Sequence, residues 1–330
     1  MRRSWIAVTL LSVAACGGSH PITPTPAAPQ VACPADITVR GATGLTQAVT
    51  FDAPTVTGGA APVTVSCTQP SGASFPLGTT AVNCTASDRQ SRQAACAFNI
   101  TVTGFSLGAT RFDSIGDSLT AGENGRLSFV DVPNAYPTRL QAAFDANYPG
   151  QGIVVINRGT NGERAERTAD LIRAYVTADR PDAILLLTGY NNLEPCGPGR
   201  ATTTSCQSAI DDVEIDVRDC IRHARETSAA IHFIFVSTLT PPGPVDRSAL
   251  RDRRIAGEAI VETNDQIRKR VASEGATLVD TYPLFLGHEA EYVDTDGLHL
   301  RPAGYQAIAD SFLRAIKATI PQTQLFTVRR

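Results

Sequence analysis

A serine and a histidine–aspartate pair are the residues best suited to covalent chemistry in this sequence. Ser118 lies in a Gly-Asp-Ser turn directly after a predicted strand. Asp296 and His299 stand three residues apart, just before the last helical segment. A carboxylate at this spacing can hold an imidazole that takes the proton of a serine hydroxyl. Each motif alone is weak evidence, because Gly-Asp-Ser turns and Asp-x-x-His pairs are common.

Two further segments offer hydrogen-bond donors. Gly162 closes the segment 157–162, and Asn191 closes the segment 188–191. Each segment follows a predicted strand. A glycine exposes its backbone N–H, and an amide is a neutral donor, so both can stabilise an oxyanion by ~3–4 kcal/mol per donor. We interpret Gly162 as the donor of its segment and Gly159 as a turn residue.

The elements that must position these residues alternate between strands and amphipathic helices from about Phe105 onwards. The pattern predicts strands at 111–115, 153–156, 183–187, 231–236 and 277–279. It predicts helices at 137–146, 168–178, 208–227, 254–273 and 303–319. Nearly continuous apolar strands indicate an α/β fold with a parallel sheet covered on both faces. Ser118, Gly162 and Asn191 then lie at the C-terminal edge of that sheet, where such folds place active groups.

The N-terminal part has a different pattern, with short β-rich segments separated by Gly and Pro. It predicts strands at 37–39, 48–51, 63–67, 79–84 and 96–102. Their alternation and spacing favour an all-β sandwich of roughly seventy residues. No group of catalytic residues stands out in this part.

Cysteine usage agrees with an oxidising compartment. Four of the eight cysteines lie in the β-rich part, namely Cys33, Cys67, Cys84 and Cys96. Four cysteines allow three connectivities, and the sequence does not choose among them. Cys196 and Cys206 are expected to close a surface loop, and Cys220 is interpreted as a buried small apolar residue.

The first residues are typical of a targeting segment. Two arginines precede an apolar stretch that is too short to span a bilayer. Residues 13–16 resemble the lipobox of bacterial lipoproteins, with Cys16 as the lipidated residue. We therefore expect an exported protein of the bacterial cell envelope, held at a membrane by an N-terminal lipid anchor. Gly17 in place of an aspartate favours the outer membrane or cell surface. The alternative is a plain secretory signal with a coincidental cysteine.

The charge balance argues against nucleic acid as a partner. The chain has 29 Lys and Arg against 32 Asp and Glu, a net charge of −3, and no long charged block. Affinity for nucleic acid comes mainly from clustered basic side chains that meet phosphates.

The Ser118 turn, the Asp296–His299 motif and the two donor segments together resemble the SGNH (GDSL) hydrolase family. The resemblance covers nearly all of residues 105–319. Ser118, Gly162, Asn191 and His299 occur in the family's order. The resemblance implies a flavodoxin-like three-layer α/β/α sandwich and an ester hydrolase without metal or cofactor. It also implies Ser118 as nucleophile, His299 as general base and acid, and Asp296 as its orienting partner. The oxyanion hole would comprise Ser118, Gly162 and Asn191. One departure is Asn192, where the family usually has an aspartate after the asparagine.

The β-rich part resembles the hyalin-repeat (HYR) family of immunoglobulin-like modules. The matching features are Cys33-Pro34, the segments 70–78 and 82–88, and the closing segment 96–102. The expected organisation is therefore a signal peptide at 1–16, a Pro-rich tether at 17–30, an HYR-like sandwich at 31–104 and a hydrolase domain at 105–330. Such modules are usually spacers or adhesion elements.

The sequence also offers three other hypotheses for the site: a different base, a metal site and phosphoryl transfer. His288 is the one rival base, but no carboxylate precedes it at the matching spacing. A metal site from His288, Asp294, Asp296 and His299 would leave Ser118 and Asn191 without a role. Asp113 and Asp117 could indicate phosphoryl transfer, yet no lysine or further acidic motif accompanies them.

The substrate follows only as a class: a carboxylic ester such as a small acyl ester, an acylated glycan or a lipid. Segments 123–132 and 196–206 are expected to line the pocket. Two alternatives from other classes stay open. One is acyl transfer to, or deacetylation of, a carbohydrate with the same triad, and the other is a non-catalytic adhesion protein on a hydrolase fold.

Overall fold

The computed structural model describes residues 26–42, 46–125, 130–245 and 252–324. The predicted signal peptide, Cys16 and residues 17–25 of the predicted tether lie outside the described residues, so lipid anchoring stays a prediction. Within the described ranges, every helix is too short or too polar to span a bilayer.

The chain divides into two compact units that interleave along the sequence. The first unit holds the residues up to Ala35 together with 50–71 and 81–99. The second holds 36–49, 72–80 and the chain from Ile100 onwards. The predicted boundary at residues 104 and 105 remains a prediction about sequence modules.

The described part of the N-terminal third consists of strands. These are β1 (Gln30–Ala32), β2 (Ile37–Ala42), β3 (Thr46–Ala48), β4 (Thr55–Thr57), β5 (Thr64–Cys67), β6 (Ser74–Pro76), β7 (Gly78–Ser87) and β8 (Gln93–Leu107). In the first unit, β1 pairs antiparallel with β4, and β5 with β7. In the second unit, β3 pairs antiparallel with β6, and β2 runs parallel to β8. The all-β class predicted for this part is confirmed.

One predicted strand differs from the structure. The alternation predicted a strand over 48–51, but β3 ends at Ala48. The Phe51 N–H donates to the Ser71 hydroxyl oxygen at 2.8 Å, and that hydroxyl donates to the Phe51 carbonyl at 2.8 Å. A serine side chain thus takes the hydrogen bonds that a neighbouring strand would otherwise supply.

The first unit contains two disulfides, Cys33–Cys96 and Cys67–Cys84. This is one of the three connectivities that the sequence left open. Cys67 and Cys84 are directly opposite each other in the β5–β7 pair, which explains why they can bridge.

Five parallel strands form the central sheet of the second unit. They are β9 (Arg111–Gly116), β10 (Val154–Gly159), β11 (Ala183–Leu187), β12 (Phe233–Ser237) and β13 (Thr277–Val279). Their order in the sheet is β10-β9-β11-β12-β13. The first strand thus lies between the second and third, which is the flavodoxin-like order with a switch point beside β9. All five predicted strands are present.

Helices cover this sheet. They are α1 (Ser118–Ala121), α2 (Tyr136–Asn147), α3 (Ala165–Asp179), α4 (Thr204–Thr227), α5 (Gly257–Ser273), α6 (Tyr282–Phe285), α7 (Glu289–Tyr292) and α8 (Pro302–Thr319). The helices α3, α4 and α5 pack side by side, and α2 packs with α8. A final strand, β14 (Gln322–Gln324), pairs antiparallel with β8. The predicted three-layer α/β/α fold is confirmed.

The core of the second unit lies between the sheet and these helices. All five residues of β11 are buried, as expected for a strand that is covered on both faces. Burying each large apolar side chain of this kind contributes about 1.5–3 kcal/mol. Cys220 is free and buried within α4, and burial raises its thiol pKa well above the ordinary range. The Cys196–Cys206 loop disulfide is present as predicted.

Candidate active site

Gly116 places Ser118 at the C-terminal end of β9. Gly116 has φ +155°, and a Cβ there would lie 1.8 Å from the carbonyl oxygen of Leu187 on β11. Only glycine therefore allows the chain to leave the sheet at this point. Asp117 then caps α1, because its Oδ1 accepts the Leu119 N–H at 3.0 Å.

Asp117 is buried beneath the serine, and its second oxygen has no partner within the described structure. Burial raises the pKa of this carboxyl to about 7, although its hydrogen bond with Leu119 and the nearby His299 act in the opposite direction. A carboxyl group this deeply buried favours its neutral form. Its role in the site is to hold the turn that carries Ser118.

The loop before α8 supplies the imidazole and its carboxylate. The Asp296 Oδ1 accepts the N–H groups of Leu298 and His299, each at 3.0 Å. Its Oδ2 accepts from His299 Nδ1 at 2.6 Å. Burial disfavours the charge of Asp296, yet the hydrogen bonds from His299 and from the loop backbone hold its pKa below the ordinary value. One carboxylate thus shapes the loop and orients the ring.

The other nitrogen of the ring faces the serine. The distance from His299 Nε2 to Ser118 Oγ is 2.9 Å, and both residues are buried. The structure therefore brings Ser118, His299 and Asp296 into one continuous hydrogen-bond chain. This is the geometry that makes a serine hydroxyl nucleophilic.

A second carboxyl group also faces the ring, and no motif in the sequence indicated this position. Glu123 is buried, and its Oε2 lies 3.5 Å from His299 Nε2. The Tyr305 hydroxyl on α8 donates to the Glu123 carbonyl at 2.6 Å and fixes this residue. Glu123 was expected only as part of a pocket-lining segment.

Gly162 and Asn191 follow β10 and β11 and line one cavity of about 590 Å³. One N–H of the Asn191 amide donates to the Glu163 carbonyl at 2.9 Å. This bond fixes the amide plane and leaves the second N–H for another acceptor. Gly159 is not a turn residue as interpreted. It ends β10, where a Cβ would come within 2.1 Å of the Ala121 nitrogen.

Asn192 uses its amide in two directions. Its Oδ1 accepts the Ala165 N–H at the start of α3 at 2.8 Å, and its Nδ2 donates to Asp216 Oδ2 at 3.1 Å. Burial and the neighbouring acidic groups raise the pKa of Asp216 to about 6. An aspartate could accept from Ala165, but it could not donate to Asp216.

The substitution Asn192→Asp should therefore destabilise the fold by about 1–3 kcal/mol at pH 8, where two carboxylates would face each other. The cost should shrink at pH 5, because Asp216 is then protonated and can donate. Urea unfolding at both pH values measures this difference. The control Asn161→Asp changes an exposed residue and should cost little at either pH. Equal unfolding free energies for parent and Asn192→Asp at pH 8 would contradict the role assigned to the amide.

The remaining candidates lie elsewhere. His288 is exposed, and its Nδ1 lies 3.2 Å from Glu291. Within the described ranges, no three His, Cys, Asp or Glu side chains are grouped to hold a metal ion. Asp113 is buried on β9, and its pKa is raised to about 7 by burial and by the charge of Asp179. It belongs to a charged group with Asp179, which is also buried, and with the partly exposed Arg158.

Comparison with known proteins identifies two modules in the chain. The GDSL-like Lipase/Acylhydrolase family matches residues 114–307, and the HYR domain matches residues 25–102. Both predicted resemblances are confirmed. The first match covers more than half of the 330 residues.

Individual relatives agree with this result. An acetylxylan esterase of Geobacillus stearothermophilus is 24% identical over 212 residues, which is 61% of this chain and 91% of that protein. An alpha/beta hydrolase enzyme from the metagenome of Lake Arreo, Spain, has a similar structure, with a TM-score of 0.50 and 21% identity over 64% of this chain and 96% of that one. A catalytic mutant of Axe2, an acetylxylan esterase from Geobacillus stearothermophilus, has a TM-score of 0.50 and 21% identity over 64% and 94%. These two structures share the fold. The chain belongs to the GDSL-like lipase/acylhydrolase family and is a carboxylic ester hydrolase.

Proposed function

We propose that the protein cleaves carboxylic esters through an acyl intermediate on Ser118, with His299 and Asp296 completing a catalytic triad. The observation that carries this proposal is the buried hydrogen-bond chain from Ser118 Oγ to His299 at 2.9 Å and from His299 to Asp296 at 2.6 Å. It lies at the C-terminal edge of a parallel sheet, where folds of this order bind ligands.

In the acylation step, His299 Nε2 removes the hydroxyl proton as Ser118 Oγ attacks the ester carbonyl carbon. Asp296 keeps the proton on Nδ1 and stabilises the imidazolium that forms. The tetrahedral intermediate then expels the alcohol, which takes the proton from Nε2. In deacylation, His299 Nε2 takes a proton from a water molecule as that water attacks the acyl carbon. The second tetrahedral intermediate then expels Ser118 Oγ, which takes the proton back from Nε2, and the carboxylic acid product is released.

The developing oxyanion requires donors on the far side of the carbonyl. We assign this role to the N–H groups of Ser118 and Gly162 and to the free N–H of the Asn191 amide. The fixed amide plane of Asn191 supports the assignment, because donors that need no reorganisation stabilise the transition state most.

Acetylated glycans are the substrate class that we favour among esters. The related protein from Geobacillus stearothermophilus is an acetylxylan esterase, and its similarity covers 61% of this chain. The cavity beside Gly162 and Asn191 has the size of a small-molecule site.

The direct test is labelling with a fluorophosphonate probe, which modifies nucleophilic serines. Mass spectrometry of the labelled parent should place the adduct on the peptide that contains Ser118. Labelling should disappear in Ser118→Ala and slow by at least about a hundredfold in His299→Ala, because the base that activates the hydroxyl is gone. As a matched control, Ser311→Ala removes a buried hydroxyl from α8 and should label like the parent. An adduct on another residue would refute the assignment of the nucleophile.

A further inference from the structure

The cavity beside the candidate active site has a charged wall. Besides Gly162 and Asn191, it is lined by four arginines, Arg164, Arg200, Arg253 and Arg254, and by two acidic residues, Glu194 and Asp252. Four positive and two negative side chains leave a formal charge of +2 in the wall, whereas the whole chain carries −3. The positive charge is thus concentrated where a substrate would lie.

Ion pairs with neighbouring carboxylates compensate only some of the arginine charges in this wall. Arg254 binds Asp252 at 2.7 Å, so these two charges compensate each other. Arg164 has a looser contact of 3.4 Å with Glu166, and both side chains are largely exposed. Such an exposed pair is worth little and exchanges readily for another partner. Among the described residues, the Arg200 guanidinium donates only to the backbone carbonyl of Glu194, at 3.4 Å.

Arg253 is the clearest case of an arginine without a carboxylate. Among the described residues, no ion pair includes its guanidinium. It is half-buried, and its backbone N–H donates to the Asp296 carbonyl at 3.0 Å. The backbone of this arginine is therefore tied to the loop that carries His299. A half-buried guanidinium that pairs with no described carboxylate is suited to an anionic oxyacid group, because two oxygens of that group can accept two parallel hydrogen bonds.

We propose that the natural ester carries an anionic oxyacid group, a carboxylate or a phosphate, near its scissile bond, and that Arg253 binds this group with Arg200 and Arg164 beside it. This inference rests on the proposed function, since it names the substrate class of the same site. It makes Arg253 a specificity-determining residue, while the bond-breaking chemistry stays with Ser118, His299 and Asp296.

The experiment compares esters that differ only in charge. Acetate release is measured from acetylated glucuronic acid, from the corresponding acetylated glucuronamide, and from acetylated glucose 6-phosphate with acetylated glucose as its neutral partner. The parent should favour at least one anionic ester over its neutral partner by about tenfold or more in kcat/KM, which corresponds to a single good charged contact. The two arms distinguish a carboxylate from a phosphate as the recognised group.

The variant Arg253→Gln should reduce that preference to within about threefold, and 0.5 M salt should weaken it in the parent. The Arg253→Gln variant keeps the backbone N–H that donates to the Asp296 carbonyl. The control Arg173→Gln removes the same charge from an arginine that pairs with Glu226 on the surface and does not line the cavity. Its preference should equal that of the parent.

Two results would overturn the inference: equal kcat/KM for the anionic and neutral partners in both arms, or an unchanged preference in Arg253→Gln. Both leave the esterase proposal intact if 4-nitrophenyl acetate is hydrolysed. If the proposed function itself were wrong, the result would differ: the parent would hydrolyse neither 4-nitrophenyl acetate nor any of the sugar esters.

Discussion

Replacing Ser118 with alanine should lower kcat for ester hydrolysis by at least about a thousandfold while the fold remains intact. The side chain is the only group of the hydrogen-bond chain that can form the acyl bond in the proposed mechanism. Its loss removes one hydrogen bond, to His299 at 2.9 Å, so the unfolding free energy should change by no more than about 1–2 kcal/mol. Steady-state hydrolysis of 4-nitrophenyl acetate and urea unfolding measure the two quantities.

The matched control for this prediction is Ser311→Ala on α8. The Ser311 hydroxyl is buried and donates to the Ala307 carbonyl at 2.7 Å, outside the candidate site. Its removal should leave kcat within about twofold of the parent. If Ser118→Ala retained more than a tenth of the parental kcat, Ser118 would not be the nucleophile.

The substitution Asp296→Asn should lower kcat by about a hundredfold to ten-thousandfold. The carboxylate uses one oxygen for His299 Nδ1 and the other for the N–H groups of Leu298 and His299. An amide has only one acceptor oxygen, so either the ring or the loop loses its acceptor. If the amide NH₂ faces the ring, the imidazole adopts the wrong tautomer and cannot take the serine proton.

The same substitution should change the pH dependence of stability. The folded-state pKa of Asp296 is below its ordinary value, so the carboxylate stabilises the fold above the unfolded-state pKa. This contribution is lost as the pH falls through the folded-state pKa. Asp296→Asn should therefore be less stable than the parent at pH 7, with the difference shrinking in acid. Asp265, an exposed residue that pairs with Arg268, provides the control. Asp265→Asn should alter neither kcat nor the pH dependence of stability. Unchanged activity in Asp296→Asn would exclude it as the orienting carboxylate.

Local patterns predicted the elements of the hydrolase part well, because its strands are short, apolar and bounded by turn residues. The starts of helices were less accessible. The pattern placed the start of the second predicted helix at residue 168, yet the corresponding helix, α3, begins at Ala165. The Ala165 N–H finds its acceptor in Asn192, a residue 27 positions later in the chain, so local sequence carried no signal of that start.

The sequence predicted those site residues that directly follow a strand, because the C-terminal ends of parallel strands lie at one edge of the sheet. Ser118, Gly162 and Asn191 each follow a strand, and their resemblance to a family gave them roles. The position of Glu123 beside His299 depends on the packing of α8, because Tyr305 holds its backbone. The charged wall of the cavity could not be predicted either, since Arg164, Arg200 and Arg253 are far apart in sequence and line one cavity only in the folded chain.

The Cys196–Cys206 disulfide has a consequence for how the enzyme is produced. The ring that it closes contains Gly197, Pro198 and Arg200 of the cavity wall, but none of the three residues of the proposed triad. The Ala256 N–H, close to Arg253, donates to the Cys196 carbonyl at 2.7 Å. Protein made in a reducing cytosol lacks this restraint, worth about 2–3 kcal/mol to the fold. Preparations from the cytosol and from the periplasm of a host should share their reactivity toward simple esters and differ in selectivity among larger ones.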